Sequence, residues 1–208
     1  SQERDVSIGL QGAGRMMRWD VCNARLARFH PSRFLEIGVK HGRVGKQVAA
    51  TEKLGVDPQP GPFADRYYTH LFHQTSDEFF KDRKLPMNVH VVLIDGLHHA
   101  NQVWRDVQNS LFHLHPHGTV VLHDCNPLDE RSQMVPQVQG HWNGDCWKVI
   151  VKLRATRPDL RVRVLDTDEG LGLIEWANGR EPTILIPEVL TWEGLVAHRT
   201  EWLGLVPC

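Results

Sequence analysis

Three groups of side chains in this 208-residue chain have types and spacings suited to chemistry. The first is Glu36-x-Gly38-x-x-x-Gly42, which follows the apolar residues Phe34, Leu35 and Ile37. Glycines at 38 and 42 permit a tight turn from a strand into a helix. A dinucleotide would require Gly-x-Gly-x-x-Gly, so that its pyrophosphate could meet bare backbone at a helix N-terminus, and that pattern is missing. Glu36 would repel a pyrophosphate and attract a ligand carrying ammonium and sulfonium groups. The second is Asp57 in Leu54-Gly55-Val56-Asp57-Pro58, where a carboxylate ending a strand can accept hydrogen bonds from both hydroxyls of a ribose.

The third group is Asp95 and His98, after the apolar run Val91–Ile94, with His123 and Asp124 after the next such run. Neighbouring parallel strands lie about 4.8 Å apart, so acids ending adjacent strands converge. Two such carboxylates repel and raise each other's proton affinity, a conflict that a divalent cation such as Mg²⁺ or Mn²⁺ relieves. Plainer roles stand beside these. Asp124 can cap its own loop, Asp95 can form an Asx-turn, and His98 can simply open a helix. His113-x-His115-x-His117 has metal-like spacing but spans Pro116 with no adjacent acid, and reads as a solvated turn. Trp142 and Trp147, flanking Asn143-Gly144-Asp145, either wall a pocket or anchor a loop.

The elements that must position these groups alternate in type. A leading helix is expected from Met16 to Phe29, ending at His30-Pro31. Strands are expected near 34–38, 54–57, 69–73, 89–95, 119–124, 161–165 and 170–176. Val44, Val48 and Ala49 mark a helical stripe, and Thr75-x-x-Glu78 is a capping box opening another helix. Further helices are expected at 99–113, 146–156 and 192–203. The unbroken apolar run Val91–Ile94 reads as a central strand covered on both faces. Residues 126–144, rich in Pro, Gln, Asn and Gly, read as a long loop in a lid position. The expected organisation is an N-terminal helical segment (1–32), a core domain (33–177) and a tail (178–208) used for packing or for assembly into a homo-oligomer.

Charge narrows the partners. A formal net charge of −1 provides no basic field for nucleic acid or a membrane surface. The sequence has neither a bilayer-length apolar stretch nor a signal-peptide pattern, and Cys22, Cys125, Cys146 and Cys208 show no paired spacing. A reducing, cytoplasmic setting is the expectation.

Four motifs stand in order at expected strand ends: Glu36-Ile37-Gly38-Val39-Lys40-His41-Gly42, Gly55-Val56-Asp57-Pro58, Ile94-Asp95-Gly96-Leu97-His98 and Leu122-His123-Asp124. From about Phe34 to Trp176 the chain resembles the class I S-adenosylmethionine-dependent methyltransferases, within them the branch with Ile-Asp-Gly-x-His and His-Asp strand ends. The resemblance implies a Rossmann-like, doubly wound α/β sheet of seven strands. These would be mostly parallel with an antiparallel last strand, and helices would cover both faces. It implies S-adenosylmethionine as cofactor, bound by Glu36, Gly38, Gly42, Asp57, Asp77 and Asp95, and Mg²⁺ or Mn²⁺ held by Asp95, His123 and Asp124. His123 stands where some members of the branch carry a second acid. The catalytic pair would be His98 and Asp95, and the reaction O-methylation of a small-molecule hydroxyl on a sugar or natural product. Two other readings are a nucleotide- or dinucleotide-dependent enzyme, opposed by the turn at Glu36, and a non-catalytic binding module, opposed by the intact Glu36, Asp57, Asp95 and Asp124.

Overall fold

Each expected strand forms in the computed structural model, which describes residues 15–208. The strands are β1 (Arg33–Ile37), β2 (Glu52–Val56), β3 (His70–Phe72), β4 (Val89–Ile94), β5 (Leu114–Leu122), β6 (Leu160–Leu165) and β7 (Leu171–Trp176). An eighth, β8 (Leu205–Val206), corrects the expected seven. It pairs parallel to β6 after Gly204 turns the chain through φ 57°. Two residues are too few to show a period of two in sequence. The sheet order is β3-β2-β1-β4-β5-β7-β6-β8. The antiparallel strand is β7, which is not at the edge but inserted between β5 and β6.

Helices cover both faces. They are α1 (Arg18–Leu26), α2 (Arg43–Gln47), α3 (Ser76–Lys81), α4 (Ala100–His113), α5 (Trp147–Thr156) and α6 (Trp192–Leu203). Alternation along β4 divides the core: Val91 and Leu93 pack with Val21, Cys22, Leu26, Val44 and Val48 of the α1–α2 face. Val92 and Ile94 pack on the other face with Val103, Val107, Ile150 and Trp147. Each such apolar side chain contributes roughly 1.5–3 kcal/mol on burial. Of the stripe expected for α2, Val44 and Val48 are buried, while Ala49 is exposed. The Thr75 box forms, its hydroxyl accepting from Glu78 N at 3.3 Å while the Glu78 carboxylate accepts from Thr75 N at 2.8 Å.

The histidine triplet is not a solvated turn. His113 is buried at the end of α4 and stacked on Phe80 at 5.4 Å, and residues 114–118 already belong to β5. A register shift between Val89 and Val91 lets β5 start early despite Pro116. Among the described residues no helix is long and apolar enough to cross a membrane.

Strand order reverses between β1 and β4, so the loops after these two strands diverge and leave a crevice at the strands' C-terminal ends.

Candidate active site

The crevice holds two adjoining cavities that share Gly38, Lys40, Asp95 and Gly96. One, of about 490 Å³, lies over β2 and α3 and is lined by Asp57, Thr75, Ser76, Leu97, Gln102 and Asp106 among others. The other, of about 560 Å³, lies over β4 and β5 and is lined by Arg18, Glu36, Asp95, His98, His123, Asp124 and Trp142 among others. Both volumes suit small-molecule sites.

Gly38 holds the two together. With φ 90°, it lies so close to the end of β4 that a Cβ there would sit 2.1 Å from the Asp95 carbonyl oxygen. Gly42 does something else: at φ 72° it opens α2 against Tyr67 and Ala64, and it lines neither cavity. Asp57 ends β2 with Oδ2 accepting from Lys40 N and Oδ1 from Gln59 N, both at 2.8 Å. These bonds orient the carboxylate and leave lone pairs for further donors. Asp77, expected beside it, is on the surface in an ion pair with Arg105 at 3.1 Å and is absent from both linings. Its position on α3 turns it away, while its neighbour Ser76 faces inward and accepts from Gln102 Nε2 at 3.1 Å.

Glu36 is buried at the floor, where it accepts the Tyr68 hydroxyl at 2.5 Å. Burial pushes its carboxyl up to about 8, against the Tyr68 hydrogen bond, which favours the ionised form. A cationic ligand above it would restore the carboxylate.

The second cavity gathers acids and imidazoles. His98 Nε2 lies 3.5 Å from Asp95 Oδ1 and 3.3 Å from Asp124 Oδ2, and its Nδ1 is 3.2 Å from the Trp142 carbonyl. A carbonyl only accepts, so Nδ1 carries a hydrogen; Nε2 carries one too when it bonds Asp95, and loss of that second proton leaves the Nε2 lone pair facing the two acids. Burial opposes the charged ring, but the hydrogen bond to Asp95 and the charges of Asp124 and Asp95 prevail and raise its pKa. Donor atoms of Asp95, His98 and Asp124 all lie within 4.8 Å of one another, a geometry able to hold a metal ion.

His123, expected to be the third ligand, is not in that group. Its Nδ1 donates to Asp124 Oδ2 at 2.7 Å and lies 3.3 Å from Asp95 Oδ1, and its Nε2 faces Asp168 Oδ1 at 3.4 Å. Burial alone would strip its proton; the Asp95 charge and the bonds to Asp124, Asp168 and Asp95 hold it instead, raising the ring well above its usual range. For Asp95 burial works the other way, yet the charge of His123 and the contacts with His123, His98 and Arg18 keep its carboxyl well below the usual range.

Three participants carried no sequence signal. Arg18 opens α1 and binds two acids at once, Asp95 through Nη1 at 2.5 Å and Asp168 through Nε at 2.9 Å and Nη2 at 3.0 Å. Asp168 sits in the tight β6–β7 connection, where Asp168, Glu169 and Gly170 all have positive φ. In sequence this reads only as a turn. Asn143 Nδ2 donates to Asp124 Oδ1 at 2.7 Å, which helps hold Asp124 at its left-handed φ of 61°. The segment around Asn143 also fixes His98. Gly144 lies where a Cβ would meet the His98 carbonyl at 1.9 Å, Asp145 N donates to that carbonyl, and Asp145 Oδ1 caps α4 by accepting from Ala100 N at 2.6 Å. Of the two tryptophans, Trp142 walls the cavity, stacked on His98 at 5.2 Å, and Trp147 is core.

Residues 35–125 match the family described as a methyltransferase domain. Over that span the chain is similar to a methyltransferase domain. The fold extends the likeness beyond the match. A Corynebacterium glutamicum protein superposes with a TM-score of 0.58 at 14% identity, covering 78% of this chain and 82% of that one. PaMTH1, a Podospora anserina methyltransferase solved with SAH, gives 0.56 at 15% identity over 77% and 78%. MycE, a mycinamycin-pathway methyltransferase solved with Mg, SAH and mycinamycin VI, gives 0.52 at 18% identity over 79% of this chain but 50% of its own. A search of curated proteins finds no match to the sequence. The matched span contains Glu36, Asp57, Asp95, His98, His123 and Asp124, whereas Arg18, Asn143 and Asp168 lie outside it.

Proposed function

We propose that this methyltransferase domain moves the methyl group of S-adenosylmethionine to an oxygen of a small-molecule acceptor, a sugar or natural-product hydroxyl. One observation carries the reading: the cavity beside Asp57 runs through Gly38, Asp95 and Gly96 into the cavity of Asp95, His98 and Asp124. A molecule with adenosine at one end and a cationic reactive centre at the other has a complementary site for each part. Asp57 takes the ribose hydroxyls, Leu97 and Ile37 offer apolar surface to the base, and Glu36 faces the cationic end. Neighbours solved with SAH support this arrangement.

Of the group able to hold a metal ion, the carboxylates of Asp95 and Asp124 fit Mg²⁺ or Mn²⁺, which leaves the Nε2 lone pair of His98 for the proton, and MycE was solved with Mg. A divalent cation at Asp95 and Asp124, with His98 beside it, would acidify and fix the acceptor hydroxyl. His98 Nε2 takes the hydroxyl proton, its ring held by the Trp142 carbonyl and the stack on Trp142. Trp142 and the head of α1 narrow the cavity and help align the oxygen, which is where most of the rate gain in methyl transfer arises. On this reading residues 33–177 form the working domain, and the segments before and after it shape the acceptor side.

A second reading has its own support. Arg18 and His123 already place positive charge against Asp95, Asp124 and Asp168, so transfer without a divalent cation is open to this site. One experiment separates the two: incubation with methyl-labelled S-adenosylmethionine and a panel of hydroxyl acceptors, with Mg²⁺, with Mn²⁺ and in excess chelator using protein shown to be metal-free. Label on oxygen that depends on the cation supports the first reading, and undiminished transfer in chelator the second. Calorimetry finding no binding of S-adenosylmethionine, or tighter binding of NAD, would overturn both.

A further inference from the structure

Away from the crevice, at the opposite end of the strands, a cavity of about 220 Å³ lies between the end of α1 and strands β6 and β7. Arg25 and Arg28 reach it from the helix side and Arg161 and Arg163 from β6, with Glu175 and Trp176 of β7 completing it. Residues 161 and 163 are two apart on one strand and so point to the same face, the one α1 covers. Register brings Glu175 opposite Arg161.

The charges do not balance. Arg25 and Arg163 share Glu175 at 3.3 and 3.9 Å, with Thr119 also donating to that carboxylate at 2.8 Å. Arg161 is paired with Glu181 at 3.0 Å. Arg28 has the His117 carbonyl at 2.6 Å and, among the described residues, no acid. Four guanidinium groups thus line one concave space with a single carboxylate, Glu175, while Glu181 pairs with Arg161 from outside it, in a chain whose formal net charge is −1. Solvation alone would favour separating like charges, and three of these arginines stand on rigid elements that keep them together. Planar donor forks converging on a small polar cavity recognise phosphoryl oxygens in particular.

We propose that this cavity is a binding site for a compact polyphosphate anion, either inorganic or as the phosphoryl end of a small metabolite. It lies at the far end of α1 from Arg18, which is held in the catalytic crevice, so it is separate from the cofactor site while sharing a helix with it.

The test is calorimetric titration of the purified chain with tripolyphosphate, with inorganic sulfate as a size and charge control and ATP as the organic arm. Saturable binding of tripolyphosphate at least about tenfold tighter than sulfate is expected. ATP binding as tightly would mark an organic phosphate as the natural form, and ATP binding much more weakly an inorganic one. Arg28→Ala and Arg163→Ala should each weaken binding about tenfold. Glu175→Gln removes the competing acid and should tighten it several-fold, a gain that misfolding cannot imitate. All three variants should retain wild-type affinity for S-adenosylmethionine. Absence of saturable tripolyphosphate binding, affinities unmoved by all three substitutions, or preferential binding of a short RNA duplex at equal phosphate concentration would overturn the proposal.

Discussion

The two halves of the crevice are built in different ways. The half around Asp57 is mostly local: β1, its glycine turn and β2 lie within about two dozen residues, with the start of α3 and one face of α4 closing the cavity. The half around Asp95 is assembled from separate stretches of chain, and one of its links, from Arg18 to Asp168, joins residues 150 apart. One half relies on hydrogen bonds to a lightly charged surface, the other on a buried mesh of opposite charges. A site made from strand ends tolerates the loss of one group, whereas a mesh transmits that loss to every partner.

Substitutions should expose this contrast, most strongly in the mesh. Asp95→Asn removes the partner of both Arg18 and His123 and is expected to abolish turnover and to cost about 3 kcal/mol of stability, read by denaturant unfolding. A stable, active Asp95→Asn protein would show that the mesh is ornamental. His98→Gln should lower turnover about 10²-fold or more while leaving cofactor affinity near wild type, as judged by steady-state kinetics beside calorimetry. Retained turnover would assign the proton to solvent.

On the local side the effects are smaller. Asp57→Ala is expected to weaken S-adenosylmethionine by roughly 1.5–3 kcal/mol without changing the melting midpoint much, a result calorimetry and thermal denaturation check together. Glu36 supplies a pH signature. Its folded pKa of about 8 lies above the ordinary 4.5, because burial and the charges of Asp95 and Asp57 outweigh the Tyr68 hydrogen bond and Arg18. Its contribution to stability is therefore full below pH 4.5 and declines as pH rises through 8. A cationic cofactor favours the ionised form, so binding should release a proton and tighten by up to about tenfold per pH unit until pH 8, then level off. Titrations in buffers of different ionisation enthalpy measure that proton, and Tyr68→Phe should move the plateau to higher pH. A flat profile would remove Glu36 from the cofactor's contacts. The smallest effect is expected at Asp77: Asp77→Ala breaks an exposed pair with Arg105 and one of the bonds from Gln102 Nε2, which keeps Ser76 and Asp106, and should leave cofactor affinity unchanged.

The same contrast explains what could be read from sequence. Apolar runs ending in Glu36, Asp57, Asp95 and Asp124 declare both strand and site, since a parallel sheet exposes its chemistry at strand ends. Their order also fixed the expected class of fold. What stayed hidden depends on tertiary placement. Arg18 is one arginine among many until α1 crosses the cavity mouth. Asp168 looks like a turn residue because it is one. The early start of β5 reflects pairing with β4 that overrides Pro116, and β8 is too short to have a pattern. Asp77 failed for a helical reason: one step along α3 exchanges an inward Ser76 for an outward carboxylate.

The contact between Gly144 and the backbone of His98 also bears on how such a domain changes its clientele. Because no side chain fits at 144, the loop is pinned there and again at buried Ser132, whose carbonyl accepts from Asn143 N and Gly144 N, while the stretch from Met134 to His141 is largely exposed. That stretch can be exchanged like a fitting on a fixed bracket. Grafts that keep Ser132, Asn143, Gly144 and Asp145 preserve the orientation of His98, Asp124 and α4, so new acceptors become accessible without rebuilding the catalytic end of the sheet.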